Sequence, residues 1–288
     1  MGEMIHLQED LKRLGLNTMA ALVDSEVDKA VKSQASYTAF LQHLVGEELV
    51  AKADRSINAR IAKARFPAIR TLDAFDFGFQ PRLPVALVKE LAGLDFLDWA
   101  ENVCAVGPPG TGKSHLLIGL AVKACEARKR VLFTHAPALL DQMVACTVDG
   151  SLGRRLRDLQ RLDFLVVDEL GYMPMDSRRA DLFFQLVSAR YERGSIGVTT
   201  NKPFDQWGQV FGGDDVIAAA ILDRLLHHSH ILLTTGPSYR MKDKASQLPP
   251  TSSADGTNGL HGRDGEEEDG GPPEADWGRR QRKERTLT

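Results

Sequence analysis

The stretch that decides the fold reads Asn102-Val103-Cys104-Ala105-Val106, then Gly107-Pro108-Pro109-Gly110-Thr111-Gly112-Lys113-Ser114, then His115-Leu116-Leu117-Ile118-Gly119-Leu120-Ala121. An apolar strand candidate runs into G-x-x-x-x-G-K-S, and the apolar spacing then changes to that of a helix. A loop that wraps a polyphosphate must turn backbone N–H groups inward, and Gly110 and Gly112 can take conformations closed to other residues. The phosphates would meet a helix N-terminus, which favours negative charge. Lys113 would reach the β- and γ-phosphates, and the Ser114 hydroxyl would bind Mg²⁺.

Further along, Phe164-Leu165-Val166-Val167 is wholly apolar and ends in Asp168-Glu169. Two acids at a strand end often mark a solvated turn. Beside a phosphate loop they read as a metal and water pair, with Asp168 holding Mg²⁺ and Glu169 polarising the attacking water. ATP hydrolysis is the expected reaction.

Outward from these motifs, residues 102–106, 131–134, 164–167, 196–199 and 231–234 are strand candidates separated by amphipathic segments. This alternation predicts an α/β fold, a parallel sheet between two helical layers. Before it, apolar residues recur at helical spacing from His6 to Ala64, with Gly15 and Asn17 as punctuation and Ser36 as a cap. Pro67, Pro81 and Pro84 then break the pattern. The expected organisation is a helical domain over 1–70, an ATPase domain over 71–244, and a disordered tail over 245–288.

The net charge of −3 conceals an even balance, because residues 245–288 carry 6 basic and 9 acidic side chains, leaving 30 of each before them. The balance argues against a protein that coats nucleic acid by bulk charge, while local basic patches remain open. Three scattered cysteines indicate neither a disulfide framework nor a zinc site. With no signal peptide and no long apolar run, a reducing cytoplasm fits best.

Taken together, Thr71-Leu-Asp-Ala-Phe-Asp-Phe77, the phosphate loop with His115, Val167-Asp-Glu-Leu-Gly-Tyr172, Thr199-Thr-Asn-Lys-Pro203, Ile221-Leu-Asp-Arg-Leu-Leu-His-His228 and Ser238-Tyr-Arg240 resemble the AAA+ ATPases. Within them they resemble the IstB family of insertion-sequence transposition helpers, related to the helicase loader DnaC and the initiator DnaA. The resemblance covers roughly residues 5–244. It implies that Asn201 senses the γ-phosphate, that Arg224 is an arginine finger reaching ATP on a neighbouring subunit, and that Arg240 is a second sensor on its own subunit's nucleotide. Isolated, Asn201 could simply begin a turn and either arginine could be a surface ion pair. A homo-oligomer with composite sites follows from the finger.

Two basic clusters are candidates for DNA contact. Arg55, Arg60 and Lys63 lie at the end of the helical module, and Arg154, Arg155, Arg157 and Arg161 lie on a helix that the resemblance places at a DNA-contacting wedge. With no base-reading motif, binding to double-stranded DNA should be sequence-independent and salt-sensitive. The leading expectation is an ATP-dependent regulator of transposition working with a transposase. The alternatives are a DnaC-like helicase loader and a nucleotide-gated scaffold.

Overall fold

The protein is described by a computed structural model, which covers residues 2–236 together with Ser238 and Tyr239. The expected tail over 245–288 lies outside the described residues, as does Arg240.

The chain begins with three helices, α1 (Gly2–Arg13), α2 (Asn17–Ser33) and α3 (Tyr37–Ala64). Gly15 makes the first turn at φ +71°, a conformation glycine adopts cheaply. Ser36 caps α3 by accepting from the Ala39 amide at 3.2 Å. The helix α2 has no cap of its own at Leu16. Instead Glu48, from α3 and 3% exposed, accepts from the Thr18 and Met19 amides at 2.7 and 3.0 Å. Its charge stands at the positive end of α2. Leu11, Met19, Ala20, Val23 and Leu44 form a small core among these helices. The far end of α3 joins a different core: Ile61 and Ala64 pack into the main body, and the Phe66 ring meets Phe133 edge-on at 6.3 Å.

After a 3-10 turn (Phe77–Phe79) and the short helices α4 (Val85–Leu91) and α5 (Asp95–Asp98), strands and helices alternate. The strands are β1 (Asn102–Val106), β2 (Val131–His135), β3 (Phe164–Leu170), β4 (Ser195–Thr200) and β5 (Ser229–Leu233). They pair in the order β2-β3-β4-β1-β5, all parallel. The helices between them are α6 (Lys113–Glu126), α7 (Ala136–Val148), α8 (Leu152–Gln160), α9 (Ser177–Arg190), α10 (Trp207–Val210) and α11 (Asp215–Leu226).

Alternate strand residues enter opposite layers. Phe164 and Val166 pack with Leu116, Leu117 and Leu120 of α6. Leu165 and Val167 pack with Leu139 and Leu140 of α7 and Phe183 and Leu186 of α9. A parallel sheet buried on both faces needs such apolar runs, so the three-layer α/β/α expectation holds. The first strand lies where the sequence places it, and β3 runs on through the two carboxylates to Leu170.

Candidate nucleotide site and nucleic-acid surface

Between β1 and α6 the loop turns through Gly110 at φ +80° and Gly112 at φ +96°. A Cβ at Gly112 would lie 2.6 Å from the Phe75 ring, so both space and dihedral demand glycine there. Lys113 is 4% exposed, and its ammonium donates to the Gly107 and Pro108 carbonyls at 2.7 Å each. Those carbonyls occupy donors that phosphate oxygens can take. Thr111 donates to the Pro108 carbonyl at 2.8 Å, and its hydroxyl lies 2.6 Å from that of Thr234 beyond β5. The Tyr239 amide donates to the Gly110 carbonyl at 2.9 Å, and its ring stands edge-on to Phe79 at 5.0 Å.

Residues 71–79 brace this loop. His115 Nε2 lies 2.9 Å from the Thr71 carbonyl, and its ring meets Phe75 edge-on at 5.2 Å. Burial lowers the His115 pKa, the Thr71 contact opposes that, and the nearby Arg70 charge adds to the lowering. The sequence marked this segment only by its family likeness. The signal for its packing role was three phenylalanines, Phe75, Phe77 and Phe79, in a stretch with no helical or strand period.

The carboxylates come from β3. Ser114 donates to Asp168 Oδ1 at 2.7 Å, and Thr199, from the neighbouring β4, donates to the same oxygen at 2.5 Å. Thr199 also accepts from the Glu169 amide at 2.9 Å. Asp168 is buried and Glu169 exposed, and the pairing pattern shows why. Val167 pairs with Val198 and Leu170 with Thr200, so Asp168 and Glu169 together face Thr199 alone. This bulge puts Glu169 at φ +62°. Such a backbone costs a non-glycine residue about 1–2 kcal/mol and is typical of functional positions.

Two further polar groups reach the same place. His135 ends β2 as the register partner of Asp168, and its buried Nδ1 has no hydrogen-bond partner, lying 3.4 Å from Glu169 Oε2 and 3.7 Å from Asp168 Oδ2. Ligand atoms of His135, Asp168 and Glu169 lie within 4.8 Å of one another. Sequence reasoning gave His135 no role. Asn201 follows β4, and its buried Oδ1 also lacks a partner, which is costly unless a ligand completes it. The hard oxygen donors of Ser114 and Asp168 suit Mg²⁺.

Arg224 is not part of this group. It sits in the last turn of α11, where the His228 carbonyl accepts from the Asn102 amide at the start of β1. The phosphate loop leaves the other end of β1, roughly 13 Å away at 3.3 Å per residue. Arg224 donates to the Ala220 carbonyl at 3.0 Å and lies 4.8 Å over the Phe184 ring.

The two basic clusters largely converge. A cleft of about 600 Å³ opens where β2 begins, lined by Arg60 and Lys63 of α3, Lys129 and Arg130 before β2, and Arg155 and Arg161 of α8 and its end. Arg154 and Arg157 are exposed on α8. Arg55 is turned away, bound to Glu48 at 2.6 Å and to the Thr18 hydroxyl at 3.1 Å. Arg130 is paired with Asp163 at 2.9 Å. Lys129 and Arg130 were not singled out in the sequence, because a Lys-Arg pair before a strand has no signature of its own.

Among the described residues no helix is long and apolar enough to cross a membrane. The fold resembles that of a DNA replication initiation factor, with a TM-score of 0.51 and 22% identity over 64% of this chain and 55% of that one. It also resembles AMPPCP-bound DnaA from Aquifex aeolicus, with a TM-score of 0.50 and 20% identity over 64% of this chain and 56% of that one. This chain thus spans a little over half the length of either, and the likeness is one of AAA+ fold. Sequence relatives match at greater length. The ATP-binding protein of insertion sequence IS21 from Pseudomonas aeruginosa is 43% identical over 84% of this chain and 91% of its own. That of IS5376 from Geobacillus stearothermophilus is 38% identical over 86% and 97%. Residues 9–247 match the family of IstB-like ATP binding proteins, and the chain belongs to that family.

Proposed function

We propose that this protein is a Mg²⁺-dependent ATPase that binds double-stranded DNA, works as a homo-oligomer with composite sites, and assists an insertion-sequence transposase in the cytoplasm. The observation that carries the enzymatic part is the network joining Ser114, Asp168, Thr199 and Glu169 beside the phosphate loop. The loop residues 107–114 wrap the phosphates, His115 fixes the loop to the Thr71 segment, and Lys113 exchanges its carbonyl partners for phosphate oxygens. Ser114 and Asp168 would hold Mg²⁺, whose charge offsets that building on the transferred group. Glu169 orients and deprotonates the attacking water, and Asn201 presents its amide to the γ-phosphate. Arg224, and Arg240 by its family motif, contribute guanidinium groups, the first from a neighbouring subunit.

For DNA, the cleft's lysines and arginines, with Arg154 and Arg157, supply phosphate contacts that carry no sequence information. The insertion-sequence relatives support the transposition setting. In the decisive experiment, phosphate release and duplex binding at two salt concentrations are measured for the wild type and Glu169→Gln. DNA-stimulated turnover that is lost in the variant, with ATP-dependent, salt-sensitive DNA binding, supports the reading. Turnover without duplex binding sinks the DNA part and favours a DnaC-like helicase loader. Binding with no turnover under any condition leaves a nucleotide-gated scaffold.

A further inference from the structure

Far from the phosphate loop, the turn after α9 meets the turn between α11 and β5, bringing Glu192 against His227 and His228. One ligand atom from each of the three lies within 4.8 Å of the others. We propose that Glu192, His227 and His228 form a binding site for a divalent transition-metal ion of borderline softness, such as Zn²⁺. Bonds of about 2.1 Å to such an ion set ligand atoms about 3.4 Å apart in a tetrahedral shell, so modest side-chain rotation closes the site. Two imidazoles and one carboxylate leave a fourth position for water.

The surroundings are those of a metal site. The Tyr191 hydroxyl lies 2.9 Å from His227 Nδ1. When Nδ1–H donates to it, the Nε2 lone pair is left for the ion, and the ring is held in that orientation. Both turns are fixed to the sheet. The His228 carbonyl is bound by the Asn102 amide at 2.8 Å. The preceding residue of the other turn, Arg190, is buried and donates to the Ser195 carbonyl at 2.8 Å and the Leu162 carbonyl at 3.1 Å. Three ligands held on rigid supports lose little entropy when an ion arrives.

The ion would have a consequence for Arg224, which lines the same small pocket as Tyr191, Glu192 and His228. Joining the two turns fixes the end of α11 and places a second positive charge beside the guanidinium. Zn²⁺ should therefore alter turnover, an effect that rests on the role proposed for Arg224; metal binding does not.

The test uses the full-length chain, stripped of metal and carrying His135→Ala so that the cluster at the phosphate site is removed. Zn²⁺ is titrated against a chromophoric chelator, and Co²⁺ is followed by its visible spectrum. One equivalent should bind with an intense tetrahedral Co²⁺ band. Tyr191→Phe should weaken binding about 10-fold, and His228→Ala or Glu192→Gln should weaken it by about 100-fold or more. These side chains are solvent-facing, and an unchanged thermal midpoint will show that the variants fold. Unaltered affinity in His228→Ala and Glu192→Gln overturns the site. Binding as predicted, with turnover in the wild-type chain indifferent to Zn²⁺, upholds the site and counts against the role of Arg224.

Discussion

Thr199 donates its hydroxyl hydrogen to Asp168 at 2.5 Å and accepts the amide hydrogen of Glu169 at 2.9 Å. One side chain on β4 thereby fixes both the buried carboxylate and the bulge that exposes its neighbour. Thr199→Val keeps the shape and removes both bonds. A hydrogen bond to a charged group contributes about 1.5–3 kcal/mol, so turnover should fall about 10- to 100-fold with nucleotide affinity little changed. A binding assay with a fluorescent ATP analogue beside phosphate release will show it, and an equal loss in both would refute this division.

Glu169 occupies a conformation at φ +62° that favours glycine. Glu169→Gly and Glu169→Ala both abolish the carboxylate and should be equally inactive. They should differ in stability, with the glycine variant the more stable by about 1 kcal/mol. Denaturant midpoints will measure this. An alanine variant at least as stable would show that the backbone is unstrained in solution.

If Arg224 acts on a neighbour's nucleotide, inactive subunits can complement one another. Arg224→Ala and Glu169→Gln should each bind ATP and hydrolyse little. Mixed, they form some interfaces in which an intact Glu169 meets an intact Arg224, and turnover should reappear. Arg224→Ala with wild-type turnover, or mixtures no more active than their components, would refute the trans role.

The Glu48 contacts predict an acid-sensitive helical end. Burial pushes this carboxyl up, yet the Met19 and Thr18 amides and the Arg55 guanidinium together hold it below its ordinary value of 4.5. A carboxyl with a lowered folded-state pKa stabilises fully above the ordinary value, and that contribution is lost as pH falls through the folded-state value. Protection of the α2 amides from hydrogen exchange, corrected for the intrinsic slowing of exchange in acid, should therefore fall below about pH 4.5, and Glu48→Gln should flatten that dependence. Identical pH profiles in both proteins would remove Glu48 as the cause. Glu48→Ala leaves the two amides without partners and should cost about 1–3 kcal/mol at neutral pH.

The layered fold was legible because strand and helix periods are local, and the phosphate loop because its residues are contiguous. Asp168 and Glu169 were legible as a pair at a strand end. What escaped was carried by contacts distant in sequence. Thr199 reads as one more β-branched residue of a strand, and nothing near it reveals that 30 residues earlier a bulge awaits its hydroxyl. Glu48 reads as a solvated helical glutamate, although it caps a helix that starts 31 positions before it. His135 closes an apolar strand, and only the pairing of β2 with β3 sets it beside the carboxylates. The cleft unites cations from α3, the start of β2 and α8, whose proximity is a property of the fold and not of any stretch of chain.

The phosphate loop and Arg224 lie at opposite ends of the same sheet, so subunits that join them in the role proposed for Arg224 can stack head to tail. Stacked so, their contacts are heterologous, whereas an antiparallel two-fold pair would complete both sites at once. A row of subunits built this way has a direction: one terminal copy carries a loop that no finger serves, the other a finger with nothing to serve, unless the row closes on itself. Catalytic capacity would then grow as one less than the number of copies, making the shortest assemblies disproportionately slow and giving growth of the row a built-in sense.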